Sequence, residues 1–333
     1  MALTDAQIIK RLEKPNGRKI DVVLDTDTFN EIDDQYAIAY ILKHSEKFNL
    51  QAIYAAPFSN VKAATPKIGM EKSYDEIMNI LSFMGRDDVK EIVYKGSEIY
   101  MPDEETAVDS PAARDIVERA MARDDDDPLY IIAIGAITNV SSALVMEPKI
   151  AEKVVIVWLG GHALDWYNTR EFNMVQDIAG ARVLFNSRVP LVLLPCMGVV
   201  SALATTGPEL NYWLKGKNAL CDYLCDITVK EANDFNQGEF WSRAIWDVSA
   251  VAWLLDDPEE KEFVPNNFFA LLDDPMNPNM NDKMMLDRLE PAPLPAYDGT
   301  WSIVKNRHPI KYVYAVKRDL IFEDLFTKLA DND

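Results

Sequence analysis

The stretch DVVLDTDTFNEIDDQYAIAYIL, residues 21–42, joins an apolar run to a segment of helical period through an acidic hinge. The run ends at Asp25, and Asp25, Asp27, Glu31, Asp33 and Asp34 place five carboxylates within ten residues. Similar short β-rich runs stand at 50–56, 91–94, 129–135, 154–160 and 191–196, with helical segments beginning near Asp33, Met70, Pro111, Ile137 and Ile178. Continuous apolar runs describe strands buried on both faces, and their alternation with helices predicts a parallel sheet. With right-handed crossovers this is an α/β fold built on an open, mostly parallel, doubly wound (Rossmann-like) sheet.

The C-terminal third has a different grain. Residues 207–256 read as a helical cap, with one helix in 211–234, a turn around NQG at 236–238 and a second helix from about Ser242. Residues 276–300, rich in Pro and Asn, read as a surface excursion; 311–318 reads as a late strand and 324–331 as a closing helix. No repeat or linker divides the chain, so residues 1–333 are expected to form a single domain.

Composition narrows the partners. With 48% hydrophobic and 26% charged residues the chain has the profile of a folded soluble protein. A net charge of −20 argues against nucleic acid and anionic membrane, both polyanions, and leaves a neutral small molecule, a cation or another protein. Cys196, Cys221 and Cys225 are too few for a disulfide framework, which suggests a reducing compartment. Cys221 and Cys225 share a helix face without a His cluster, so packing explains them better than zinc. The N-terminus lacks the apolar core of a signal peptide, and the apolar stretch 189–204 contains Pro195 and is too short to span a bilayer. The expected location is cytoplasmic.

Ligands of open parallel sheets bind beyond the carboxyl ends of the strands, so the polar residues that follow each strand are the candidates. They are Asp25, Asp27, Asp33 and Asp34 after the first, Asn60 after the second, and Thr138 and Asn139 after the fourth. His162, Asp165, Asn168, Glu171 and Asn173 follow the fifth, and Trp246 and Asp247 open a late helix. Helix capping and the helix dipole account for Asp33 and Asp34. They do not account for Asp25 and Asp27, which end a buried strand and need either raised pKa values or a cation. Carboxylate and carbonyl oxygens suit Ca²⁺, with Mg²⁺ the stricter alternative.

Two resemblances follow from these residues. VVLDTDTF is similar to the opening motif of haloacid-dehalogenase-like phosphatases, which implies Asp25 as nucleophile, Asp27 as acid/base, bound Mg²⁺ and LLDDP (271–275) as the acidic pair. That reading leaves the Asp33–Asp34 pair and Glu-Phe-Asn at 171–173 without roles. Nearly the whole chain resembles the inosine–uridine nucleoside hydrolase family. Its Asp-x-Asp followed by Asp-Asp stands here as Asp25, Asp27, Asp33 and Asp34; AIGAITNVSSAL (133–144), WLGG…EFNMVQDIAGARVL (158–184) and Asp247 follow in the family's order.

The resemblance implies hydrolysis of the N-glycosidic bond of a ribonucleoside. Asp27, Asp34, the Thr138 carbonyl and Asp247 would hold Ca²⁺, Asp27 would take a proton from water, and Asp25 would brace the site. Asp33, Asn60, Glu171 and Asn173 would bind the sugar, together with Asp165 or Asn168. It also implies a homo-oligomer, a dimer or tetramer. Trp246 stands where pyrimidine-preferring members carry His, which points to a stacked purine, although a core tryptophan explains it nearly as well. His162 also lies within reach of the base. The five-residue gap TFNEI is two longer than the family's, and Glu31 within it reads either as an additional carboxylate for the site or, the reading preferred, as a solvated charge. A non-catalytic nucleoside- or ribose-binding homologue is the third reading.

Overall fold

The computed structural model describes residues 2–15, 18–124, 126–235, 240–256 and 284–331. Its apolar runs form β1 (Ile20–Thr26), β2 (Phe48–Ala55), β3 (Val93–Lys95), β4 (Leu129–Ala133), β5 (Val154–Leu159) and β6 (Leu191–Leu194). Two later strands, β9 (Met285–Pro291) and β12 (Pro309–Val316), complete an eight-stranded sheet of order β3–β2–β1–β4–β5–β6–β12–β9. Every pairing is parallel except β9 with β12. Two short antiparallel pairs lie outside it, β7 (Ala204–Thr205) with β8 (Arg243–Ala244) and β10 (Leu294–Pro295) with β11 (Trp301–Ser302).

The sheet is buried on both faces, and alternation along each strand divides the core in two. Val22 and Leu24 of β1 join the cluster under α2 (Asp34–Lys43), α3 (Pro66–Phe83), α10 (Val248–Leu255) and α11 (Arg318–Ala330). Val23 joins the cluster under α4 (Pro111–Met121), α5 (Thr138–Met146) and α7 (Ile178–Asn186). Short α1 (Asp5–Arg11) and α6 (Phe172–Gln176) flank these layers. Among the described residues, no helix is long and apolar enough to cross a membrane.

Several boundaries differ from expectation for local reasons. The helix expected near Met70 starts at Pro66, because the Thr65 hydroxyl accepts from the Ile68 N–H at 3.3 Å and Pro66 suits the first turn. The third strand is short because Asp87–Ile92 forms a 3₁₀ turn. The single helix expected in 211–234 is instead two, α8 (Gly207–Trp213) and α9 (Ala219–Phe235), parted by a turn at Gly216 with φ +78°. Cys221 and Cys225 are buried in α9, their thiols directed at the carbonyls of Leu329 and Leu210. The helix expected from Ser242 begins only at Val248, since Arg243–Ala244 pairs with β7. Val248 to Leu254 are buried without exception, as expected of a helix that is apolar all round. Within 276–300, residues 285–291 form the antiparallel edge strand rather than a surface excursion. The NQG turn and the LLDDP pair lie outside the described residues.

Candidate functional site

The strand order reverses between β1 and β4, and the cleft opens at their carboxyl ends. Alternation sends Asp25 and Thr26 to opposite faces. Asp25 turns toward α5, where Asn139 Nδ2 donates to its Oδ1 at 2.8 Å. Asp25 is fully buried and does not line the cleft. Burial pushes its carboxyl up to about 7 against the pull of Asn139. Thr26 turns the other way, and its hydroxyl donates to Asp34 at the start of α2.

Asp27, Asp33, Asp34 and Asp247 line the cleft, each at most 3% exposed. Asp33, Asp34 and Asp247 each bring a carboxylate oxygen within 4.8 Å of the others. Asp33 makes the long-range join: its Oδ2 accepts from the backbone N–H groups of Trp246 (3.0 Å) and Asp247 (3.3 Å). Gly135 leaves room for Asp27, since a Cβ there would stand 3.1 Å from its Cγ. Asp27 Oδ2 is buried with no partner among the described residues. Burial, with neighbouring negative charge, raises Asp27, Asp33 and Asp247 well above the usual carboxylate range. Burial likewise lifts Asp34 to about 6, opposed by the Thr26 hydroxyl. An unpartnered lone pair amid buried acids that resist ionising is the donor set of a hard cation. These residues fit a metal ion.

The second half of the cleft follows β5. Gly161 takes φ +72°, and a Cβ there would meet the Trp301 ring at 2.2 Å, so this turn requires glycine. Its N–H donates to Glu171 Oε2 at 2.8 Å. Glu171 caps α6, accepting from the N–H groups of Asn173 (2.8 Å) and Met174 (2.9 Å), with the Cys196 thiol a fourth partner. Burial lifts its carboxyl to about 7 against these donors. Asn173 Nδ2 donates to the carbonyls of Ile134 (3.2 Å) and Leu159 (3.1 Å), tying the ends of β4 and β5 together. His162, Glu171, Asn173 and Trp246 all line the cleft.

Four expected residues lie elsewhere. Thr138 is fully buried at the start of α5, its hydroxyl donating to Asp177 at 2.6 Å; Ile134, four residues earlier and just past the end of β4, lines the cleft. Asp165 and Asn168 are exposed and outside the lining, because the loop after Gly161 swings to the surface. Asn60 is one step back: its amide donates to Asn30 Oδ1 at 2.8 Å, and Asn30 lines the cleft. Glu31, read as solvated, instead pairs with Arg243 at 2.5 Å. Arg243 also binds Glu231 of α9 at 2.7 Å, and Glu231 holds Lys62 at 2.6 Å, so the long first loop is clasped to the cap.

The model of the inosine–uridine preferring nucleoside hydrolase family matches residues 22–285. The pyrimidine-specific ribonucleoside hydrolase RihA of Citrobacter koseri is 25% identical over 241 residues, covering 64% of this chain and 76% of that protein. Among solved structures, an inosine–guanosine nucleoside hydrolase aligns with a TM-score of 0.69 at 15% identity, covering 94% of this chain and 99% of that one. A purine-preferring ribonucleoside hydrolase from Gardnerella vaginalis aligns at 0.65 and 19% identity, covering 93% and 98%. The structural likenesses show a shared α/β fold.

Proposed function

Since this chain belongs to the inosine–uridine preferring nucleoside hydrolase family, a family of hydrolases acting on N-glycosyl compounds, we propose that it cleaves ribonucleosides in a Ca²⁺-dependent reaction, with a purine base favoured. The observation that carries the reading is the group of four buried carboxylates at the β1–β4 switch point, one with an unpartnered oxygen. Asp27, Asp34 and Asp247 would hold the ion, with the Thr138 carbonyl at the start of α5 as the further oxygen that the resemblance implies. A bound Ca²⁺ acidifies water and orients the sugar diol.

The chain's own groups do the rest. Asp27 accepts a proton from the attacking water through its free oxygen. Asp33, anchored on the backbone at Trp246, offers an acceptor to a sugar hydroxyl. N-glycosidic cleavage passes through an oxocarbenium-like sugar, and surrounding carboxylates favour that positive charge. Asn173 lines the sugar side, while Asp25 positions the loop through Asn139. Glu171, its carboxylate occupied by four donors, holds the Gly161 turn in place. Trp246, half-buried at the cleft, supplies a ring for the base, and stacking contributes ~0.5–1.5 kcal/mol beyond burial. The dimer or tetramer implied by the resemblance belongs to the same proposal.

The phosphatase reading is set aside, because its nucleophile, Asp25, is fully buried away from the cleft. A pyrimidine preference is the second reading, favoured by the name of the RihA relative. Free ribose released from inosine, guanosine, adenosine and uridine, with and without chelator, tests both. The expected result is faster release from the purine nucleosides, abolished by chelation and restored by Ca²⁺. Faster release from uridine reverses the base preference; no ribose from any nucleoside with metal bound refutes the proposal.

A further inference from the structure

Leu159 ends β5, and Cys196 and Met197 follow β6, so the apolar part of the cleft lies two to three strands from the carboxylates of β1. At ~4.8 Å per strand that is about 10–15 Å, enough to separate a base from a ribose held at the acids. Trp246 reaches the same end. The Ile245 N–H donates to the Leu203 carbonyl at 2.8 Å and β8 pairs with β7, which sets the segment before Asp247 beside the segment after β6. Among these apolar and aromatic side chains stands one imidazole, His162.

Its tautomer is fixed by a neighbour. The Met197 backbone N–H donates to His162 Nδ1 at 3.2 Å. A backbone N–H cannot accept, so Nδ1 is the ring's acceptor and its proton sits on Nε2. Protonating Nδ1 as well would set two donors face to face. Burial further favours the neutral ring, holding His162 below its usual pKa.

We propose that His162 donates a hydrogen bond from Nε2 to the departing base, at a ring nitrogen or carbonyl oxygen, without giving up the proton. The inference rests on the nucleoside reading above. As the C1′–N bond breaks, its electron pair moves onto the heterocycle, and the Nε2–H meets the negative charge that develops there. The water oxygen joins C1′; one of its hydrogens remains as the new sugar hydroxyl and the other ends on the base. His162 finishes as it began, because loss of Nε2–H would leave an imidazolate. A neutral imidazole acting as an electrophile is a known catalytic device. The recognised feature is any heterocyclic leaving group with an acceptor atom at this end.

Two measurements test it on the full chain with Ca²⁺. The chain has only His44, His162 and His308, so ¹⁵N spectra compared with His162→Gln assign the ring, and the Nε2–H tautomer is expected near neutral pH. A protonated Nδ1 overturns the proposal. The second compares inosine with p-nitrophenyl β-riboside, whose leaving group needs no help. His162→Phe is expected to lower kcat on inosine about 100-fold, the order seen when one preorganised donor is lost, and on the aryl riboside less than about threefold. His162→Gln, which keeps an N–H donor, recovers part of the inosine loss. Equal losses on both substrates, or none on inosine, overturn the role of His162 while leaving the hydrolase reading intact. A wild-type enzyme inactive on both substrates overturns the functional reading and this inference with it.

Discussion

Two loops meet at the cleft, and they treat their carboxylates in opposite ways. The loop after β1 gathers Asp27, Asp33 and Asp34, and Asp27 keeps a buried oxygen with no partner among the described residues. The loop after β5 presents Glu171, whose carboxylate is taken up by three backbone N–H groups and a thiol. All four acids are buried, and burial is the largest cause of the raised pKa in each. Partner count tells them apart. A carboxylate saturated by the fold stabilises the fold, whereas one left unsatisfied destabilises it and is available to a ligand.

Substitutions in the two loops are expected to act in opposite directions. Asp27→Asn is expected to lower kcat for ribose release by about 10³-fold, within the range for loss of a general base. The same change takes away a buried carboxyl oxygen that no partner among the described residues holds, so urea unfolding of the chelated protein should show equal or greater stability. Glu171→Ala should do the reverse, costing about 1–3 kcal/mol of unfolding free energy by stranding backbone donors and uncapping α6. A stable Glu171→Ala beside an unstable Asp27→Asn would invert the account.

Protonation separates the apo and loaded states. Asp25 and Glu171 sit at about 7 and Asp34 at about 6, all above their unfolded values. Between roughly pH 4 and 7 the folded state therefore binds more protons than the unfolded one, and stability falls as pH rises. Thermal melts of chelated protein should show that decline, and saturating Ca²⁺ should remove the part due to Asp34 while leaving that of Asp25 and Glu171. The smallest effect belongs to Glu31→Gln. Its pair with Arg243 is 40% exposed on the Glu31 side, so unfolding free energy should change by less than about 1 kcal/mol. Arg243→Ala should cost more, since it leaves Glu231 as well as Glu31 without this partner.

The parts of this molecule legible in its sequence are those where residue type and spacing carry the information. The alternation of buried strands and helices predicted the doubly wound sheet, and acids at the end of β1 marked the rim because a buried strand has no ordinary use for them. Ile134 was not legible as a residue of the cleft, because an isoleucine just past a buried strand looks like any other core residue. Asp165 and Asn168 misled because offset along a loop does not fix its path, and this loop turns outward after Gly161. Glu31 was misread because its partner Arg243 lies 212 residues further on. The fixed ring of His162 depends on Met197, brought beside it only when β5 and β6 pair.

Calorimetric titration of Ca²⁺ into chelated protein near pH 7, in two buffers of different ionisation heat, tests the carboxylate cluster most directly. One saturable site is expected, lost in Asp34→Asn, with protons released on binding because the raised acids must ionise to hold the ion. No Ca²⁺ binding, or binding unchanged in Asp34→Asn, would contradict it.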